Sequence, residues 1–189
     1  MIRNAKKEEI ESIVNLHLVS LKDGVLYELG KGVLRLFYEE ILYDKGNFIL
    51  VYESDNSIIG VAASTKNIEE LLDRIKKKHF ARIALDILKK LITNPKLPLK
   101  LLQKYPSDVK AELLFLFVDA SQRGKGIGEK LVNATSKKFM AEGVNNYKIT
   151  VLSSNPRGKR FYERIGFKKA QTYTSFGEKR DIYTCKIEK

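Results

Sequence analysis

The run Arg123-Gly124-Lys125-Gly126-Ile127-Gly128 stands where a hydrophobic strand gives way to a helix, and it constrains the fold more than any other stretch. The strand is Ala111-Glu112-Leu113-Leu114-Phe115-Leu116-Phe117-Val118. The segment that follows carries Ile127, Leu131, Val132, Ala134 and Phe139 near the helical period. Glycines at alternate positions allow a tight turn and a close approach of backbone to a ligand. The first amides of a helix have no partner within it and sit at its positive end. Such a loop cradles an anion, and phosphate or pyrophosphate suits it. Spacing excludes two nucleotide folds. G-x-G-x-x-G and G-x-x-x-x-G-K-[ST], counted from Gly124, both place Glu129 where a glycine is required.

The pattern that fits is R-x-x-G-x-G, as Arg123, Gly126 and Gly128. A second motif follows the short strand 147–152: Asn155-Pro156-Arg157-Gly158-Lys159-Arg160-Phe161-Tyr162-Glu163-Arg164-Ile165-Gly166-Phe167. Asn155 is suited to cap a helix with Pro156 in its first turn, and Gly166 to end it before Phe167 starts a strand. The two motifs, in this order, resemble the coenzyme A loop and the second signature of the GNAT superfamily of N-acetyltransferases. The resemblance is close over residues 111–168 and rests on element order elsewhere.

That resemblance implies a mixed α/β fold over residues 1–189 as one domain, with a mostly antiparallel sheet whose fourth and fifth strands splay apart. Acetyl-coenzyme A would be the cosubstrate. The backbone of Leu116, Phe117 and Val118 would hold its pantetheine arm and polarise the acetyl carbonyl. Arg123, Gly124, Lys125, Gly126, Ile127 and Gly128 would hold its pyrophosphate, and Asn155, Lys159 and Phe161 would contact it across the splay. Arg157 and Arg160, with Lys125 and Lys159, would face the phosphates.

By the same resemblance Tyr162 is the general acid at the leaving sulfur and Glu112 the candidate base. A phenol of pKa about 10 is a weaker acid than an alkyl thiol near 8.5, so full transfer is about 2 kcal/mol uphill. Hydrogen bonding to the developing thiolate is then most of what Tyr162 supplies. An ordinary carboxylate near 4.3 lies about six units below a lysine-like ammonium, a gap of roughly 8 kcal/mol. Glu112 needs burial, an intervening water or a less basic amine. Packing of the tyrosine and a place at the sheet's rim for the glutamate are the plain structural alternatives.

The remaining elements read as an edge strand at 1–5, helices over 7–21 and 30–43, and a hairpin of 47–53 and 57–64 turning at Ser54-Asp55-Asn56. Residues 67–105 depart from the family's minimal pattern. Ile68, Leu71, Leu72, Ile75, Phe80, Ile83, Ala84, Ile87, Leu88 and Leu91 keep a helical period, interleaved with Lys76, Lys77, Lys78, Arg82, Lys89 and Lys90. This predicts an amphipathic helical insertion over one side of the sheet, serving as a wall of the acceptor pocket or as a packing element. Residues 168–189 predict a last hairpin turning at Phe176-Gly177-Glu178-Lys179, a region that in the family often takes part in dimers, which leaves a homodimer open.

Thirty-five Lys and Arg against 23 Asp and Glu give a formal net charge of +12, which favours anionic ligands. Nucleic-acid binding is disfavoured, because helix-turn-helix, zinc-ligand and RNP-like patterns are missing. A single cysteine, Cys185, excludes an intrachain disulfide, and His17 and His79 stand in no metal motif, so no metal is expected. An 18-residue apolar run and an apolar leader are both lacking, which predicts a cytoplasmic protein without a membrane span. The acceptor stays open: a small-molecule amine such as an amino sugar or its nucleotide-linked form, a polyamine, an amino acid, an antibiotic, or a protein N terminus or lysine. A coenzyme A-binding regulator without catalysis is the remaining alternative.

Overall fold

The computed structural model describes residues 1–22, 24–90, 106–175 and 178–187. In chain order the elements are β1 Ile2–Asn4, α1 Ile10–Ser20, α2 Val25–Leu29, α3 Lys31–Tyr43, β2 Asn47–Ser54, β3 Ser57–Thr65 and α4 Ile68–Lys90. Then come β4 Glu112–Val118, α5 Ile127–Ala141, β5 Asn146–Leu152, α6 Pro156–Arg164, β6 Lys168–Ser175 and β7 Glu178–Lys186. The strands form one seven-stranded sheet in the order β1-β2-β3-β4-β5-β7-β6, antiparallel throughout except between β4 and β5.

Strand alternation sorts the side chains into two cores. Ile49, Val51, Val61, Ala63 and Phe117 face one side, where they meet Ile10, Ile13 and Val14 of α1, Leu34, Phe37 and Ile41 of α3, and Ile68, Leu71 and Ile75 of α4. Phe48, Leu50, Ala62, Tyr147, Ile149 and Tyr183 face the other, against Ile127, Leu131, Val132 and Phe139 of α5. Full burial of a side chain such as Leu131 contributes about 2 kcal/mol. Gly60 sets how closely α5 lies on β3: a Cβ there would come 3.0 Å from Ile127 Cγ2 and 3.1 Å from Leu131 Cδ1.

The first hairpin turns as predicted. Asp55 and Asn56 both adopt positive φ, 50° and 57°, the double left-handed geometry that Asn and Asp tolerate best. The helix predicted over 7–21 begins instead as a short tight turn at Lys7–Glu9 before α1 proper, and α2 was not foreseen. The last two strands pair from Lys168↔Thr184 to Ser175↔Glu178. Two residues of their predicted turn, Phe176 and Gly177, lie outside the described residues.

The predicted insertion differs in detail. Asn67 caps α4, its Oδ1 accepting Glu69 N–H at 3.1 Å, and Ile68, Leu71 and Ile75 bury as the period requires. At His79 the backbone leaves helical geometry (φ −124°, ψ 17°), so the apolar stripe loses its register. Beyond the kink Phe80, Leu85 and Leu88 are exposed rather than core-facing. The kink sits over buried Glu40 of α3, whose carboxylate receives Lys78 Nζ and His79 Nε2, each at 2.9 Å, and Arg74 Nε at 3.3 Å. Positive charge on α4 is thus partly spent on holding α3. Leu91 and the rest of the stretch to 105 lie outside the described residues.

Candidate active site

β4 and β5 run parallel and pair at Glu112 and Lys148, where Lys148 N–H donates to Ala111 O at 3.0 Å. Beyond that pair each strand keeps only its outer neighbour, β3 for β4 and β7 for β5. The sheet therefore opens a wedge whose apex is Glu112. Asp119 N–H is bound to Ile59 O of β3 at 2.8 Å, and backbone groups alternate sides along an antiparallel strand. Phe117 accordingly turns its N–H and C=O to β3, while Leu116 and Val118 turn theirs into the wedge. Val118 O accepts Arg123 Nε at 3.2 Å, so the arginine braces the mouth of the loop through a strand carbonyl.

The loop itself is built for outward-facing amides. Asp119 Oδ1 accepts Ser121 N–H at 2.9 Å and fixes the turn 120–122. Gly124 (φ 84°) and Gly126 (φ 73°) adopt left-handed conformations, and Gly126 is the N-cap of α5. Ile127 is buried and anchors the first turn, while Gly128 lets Phe161 of α6 approach. Lys125 Nζ donates to Gln122 Oε1 at 2.8 Å. Glu129, the one acidic residue of this first turn, pairs with Arg164 of α6 at 3.6 Å, which offsets its repulsion of an anion.

On the other side of the wedge Asn155 Oδ1 accepts Gly158 N–H at 2.9 Å and caps α6. Lys159 Nζ donates to Ser153 O at 3.3 Å and lies 3.7 Å from Asp181 Oδ2. Asp181 of β7 also accepts Thr172 Oγ1 at 2.6 Å and Lys169 Nζ at 2.9 Å. These partners outweigh its burial and hold its pKa down at about 2. Arg157 and Arg160 are exposed.

Tyr162 lies with its ring edge-on to Phe161 and Phe167, at centroid distances of 5.0 and 5.4 Å. Burial disfavours the phenolate and raises its pKa well above the ordinary value. Glu112, Lys148 and Thr150 share the sheet face opposite α5, because Tyr147, Ile149 and Val151 take the α5 side. Glu112 is 4% exposed and Lys148 1%, with Lys148 Nζ 3.9 Å from Glu112 Oε2. Thr150 Oγ1 donates to Glu112 Oε1 at 3.2 Å. Burial pushes the carboxyl up to about 7, against the opposing pull of Lys148 and Thr150. Sequence reasoning did not single out Lys148 or Thr150. The alternation of Tyr147, Ile149 and Val151 would have placed them on the Glu112 face, but only the β4–β5 register makes them neighbours.

No cluster of three or more metal-ligating side chains occurs among the described residues, and no helix among them is long and apolar enough to cross a membrane. Two features fit a coenzyme A arm and pyrophosphate, the wedge-facing backbone of Leu116 with the Val118 N–H and the left-handed glycines at a helix N-terminus, and a buried carboxyl stands at the apex.

The family model described as acetyltransferase (GNAT) family matches residues 20–167. An N-acetyltransferase from Staphylococcus aureus Mu50 superposes with a TM-score of 0.67 at 19% identity, covering 100% of this chain and 98% of that one. The PaiA N-acetyltransferase of Thermoplasma acidophilum, solved with coenzyme A, gives 0.64 at 18%, covering 98% of each chain. The ribosomal-protein-S18-alanine N-acetyltransferase of Escherichia coli gives 0.65 at 12%, covering 100% of this chain and 94% of that one. A search of curated proteins finds no match. With a family model spanning most of its length and a sheet that parts at Glu112, this chain belongs to the GNAT acetyltransferase family.

Proposed function

We propose that the protein moves an acetyl group from acetyl-coenzyme A to the primary amine of a small molecule, an amino sugar or nucleotide-linked amino sugar, by direct attack in a ternary complex. The observation that carries this is the single β4–β5 pair, which turns the Leu116 N–H and C=O and the Val118 N–H into the wedge beside a buried carboxyl, Val118 O being taken by Arg123. Those groups would bind the pantetheine arm and polarise the thioester carbonyl, a contribution of a few kcal/mol per donor. The amides of Gly124 to Gly128 would take the pyrophosphate. Coenzyme A supplies the activated acetyl group when bound.

Glu112 acts as the base. With its carboxyl at about 7, the gap to a lysine-like ammonium shrinks from roughly 8 to about 5 kcal/mol, and the gap to an α-amine to about 1 kcal/mol. Tyr162 acts at the sulfur as a hydrogen-bond donor. Its raised pKa makes full proton transfer to a thiolate costlier than the 2 kcal/mol of an unperturbed phenol. Helix α4 would wall the acceptor side with its basic face.

A second reading, acetylation of a protein or peptide N terminus, is favoured by the likeness to the ribosomal-protein enzyme. Thiol release from acetyl-coenzyme A across amino sugars, polyamines, amino acids, aminoglycosides and peptides tests both. Turnover with one class, greatly reduced in Tyr162→Phe, is the expected result. Coenzyme A binding without turnover of any amine would refute the enzyme and leave a regulator.

A further inference from the structure

The two oxygens of Glu112 are not equivalent. Oε1 is held by Thr150, while Oε2 is buried without a hydrogen-bond partner among the described residues. Oε2 lies 3.9 Å from Lys148 Nζ, beyond hydrogen-bond range yet close enough for charge to act. An unfilled acceptor in so dry a place is costly, which marks it as a seat for an incoming N–H. α5 fills the opposite face of the sheet, so that N–H has to arrive from the side that Glu112, Lys148 and Thr150 share. From β6, Tyr173 faces the same group through Thr150.

Glu112 and Lys148 together sum to zero when both are ionised. A neutral amine preserves that sum, whereas an ammonium raises it to plus one, which a buried site tolerates poorly. We infer that the acceptor is a weakly basic amine, such as a peptide α-amine or an amino-sugar amine, rather than a lysine side chain or a polyamine, and that Lys148 sets this preference. The inference rests on Glu112 acting as the base.

The step balances without further reagents. The amine nitrogen forms a bond to the acetyl carbon, the carbon–sulfur bond breaks with its electron pair on sulfur, and the nitrogen's surplus proton passes to Glu112 Oε2. An α-amine of pKa about 8 is roughly half neutral at pH 8, whereas a lysine amine near 10.4 is neutral to well under one part in a hundred. The basicity of the acceptor therefore decides both how it enters and how readily it yields its proton.

The test uses the intact protein and two peptides of one sequence, one with a free α-amine and acetylated lysine, the other with a blocked N terminus and free lysine. Glucosamine and spermidine extend the series. At pH 7.5, kcat/KM per total amine should be at least about tenfold higher for the α-amine peptide and glucosamine than for the lysine peptide and spermidine. Lys148→Met, similar in length but neutral, should narrow that ratio severalfold by gaining on the strongly basic amines. Equal rates for lysine and α-amine peptides in the unaltered protein would overturn the inference, as would an unchanged ratio in a folded Lys148→Met. Should that variant not fold, the rates of the unaltered protein decide alone. Silence with every amine would instead remove the acetyltransferase reading itself, which is a separate outcome.

Discussion

Gly128 and Phe161 touch across the gap between the two signature motifs: a Cβ placed on Gly128 would lie 3.4 Å from Phe161 Cζ. The third loop glycine thus serves helix packing, while Gly124 and Gly126 serve backbone conformation, with φ of 84° and 73° and no atoms within 4 Å of an added Cβ. The two kinds of glycine should fail differently. Gly128→Val is expected to push α6 from α5 and raise the KM for acetyl-coenzyme A by about tenfold or more. Gly126→Ala meets no clash and should cost about 1–2 kcal/mol of backbone strain, read as a lowered Tm. Steady-state kinetics and thermal melts on both variants separate the two effects.

Tyr162→Phe should lower kcat by about 10- to 100-fold while the KM for acetyl-coenzyme A changes little, the pattern of an interaction made mainly in the transition state. Its phenol has no hydrogen-bond partner among the described residues, so the unfolding free energy should stay within about 1 kcal/mol of the parent's. An unaltered kcat would leave the tyrosine as a packing residue.

With Glu112 as base, kcat/KM should fall on the acidic side of about pH 7, because the carboxyl has to be ionised to accept a proton. Glu112→Gln should lose most of the rate and, with it, that acidic limb. A limb that persists in the variant belongs to another group. Thr150→Val removes a hydrogen bond that favours the ionised form, so in that variant the limb should move to higher pH, and Thr150→Ser should restore it.

His17 offers a stability test away from the site. It is buried under β4, its Nδ1 2.7 Å from Tyr38 Oη, with ring contacts to Phe115 and Phe117. Burial lowers its pKa from 6.5 to about 4. The folded state therefore binds fewer protons than the unfolded chain in that window. The neutral histidine's contribution is fully present above about pH 6.5 and is lost as pH falls through about 4, up to roughly 3 kcal/mol. Denaturant titrations should show the parent losing stability across that range and His17→Gln losing less.

What was legible in the sequence was local. Asn155 and Gly166 bound α6 as the motif implied, and Asp55-Asn56 turned the first hairpin, since each depends on a few adjacent residues. The kink at His79 was not legible. It coincides with Glu40, nearly forty positions earlier, gathering Arg74, Lys78 and His79, and a helical period cannot register a distant carboxylate. Glu112 shows the same limit. Its strand position could be read, but its companions Lys148 and Thr150, more than thirty positions further on, depend on a parallel register between β4 and β5.

The parting of β4 from β5 means that the sheet is a seam as well as a scaffold. β1–β4 form one flap and β5, β7 and β6 another, stitched in the plane of the sheet at Glu112 and Lys148. A pantetheine arm lying in the wedge would act as the missing strand, bonding to both edges and closing the opening like a zip. The cosubstrate would then be a piece of the architecture, and filling the wedge should slow amide exchange along both edges before any acetyl group moves.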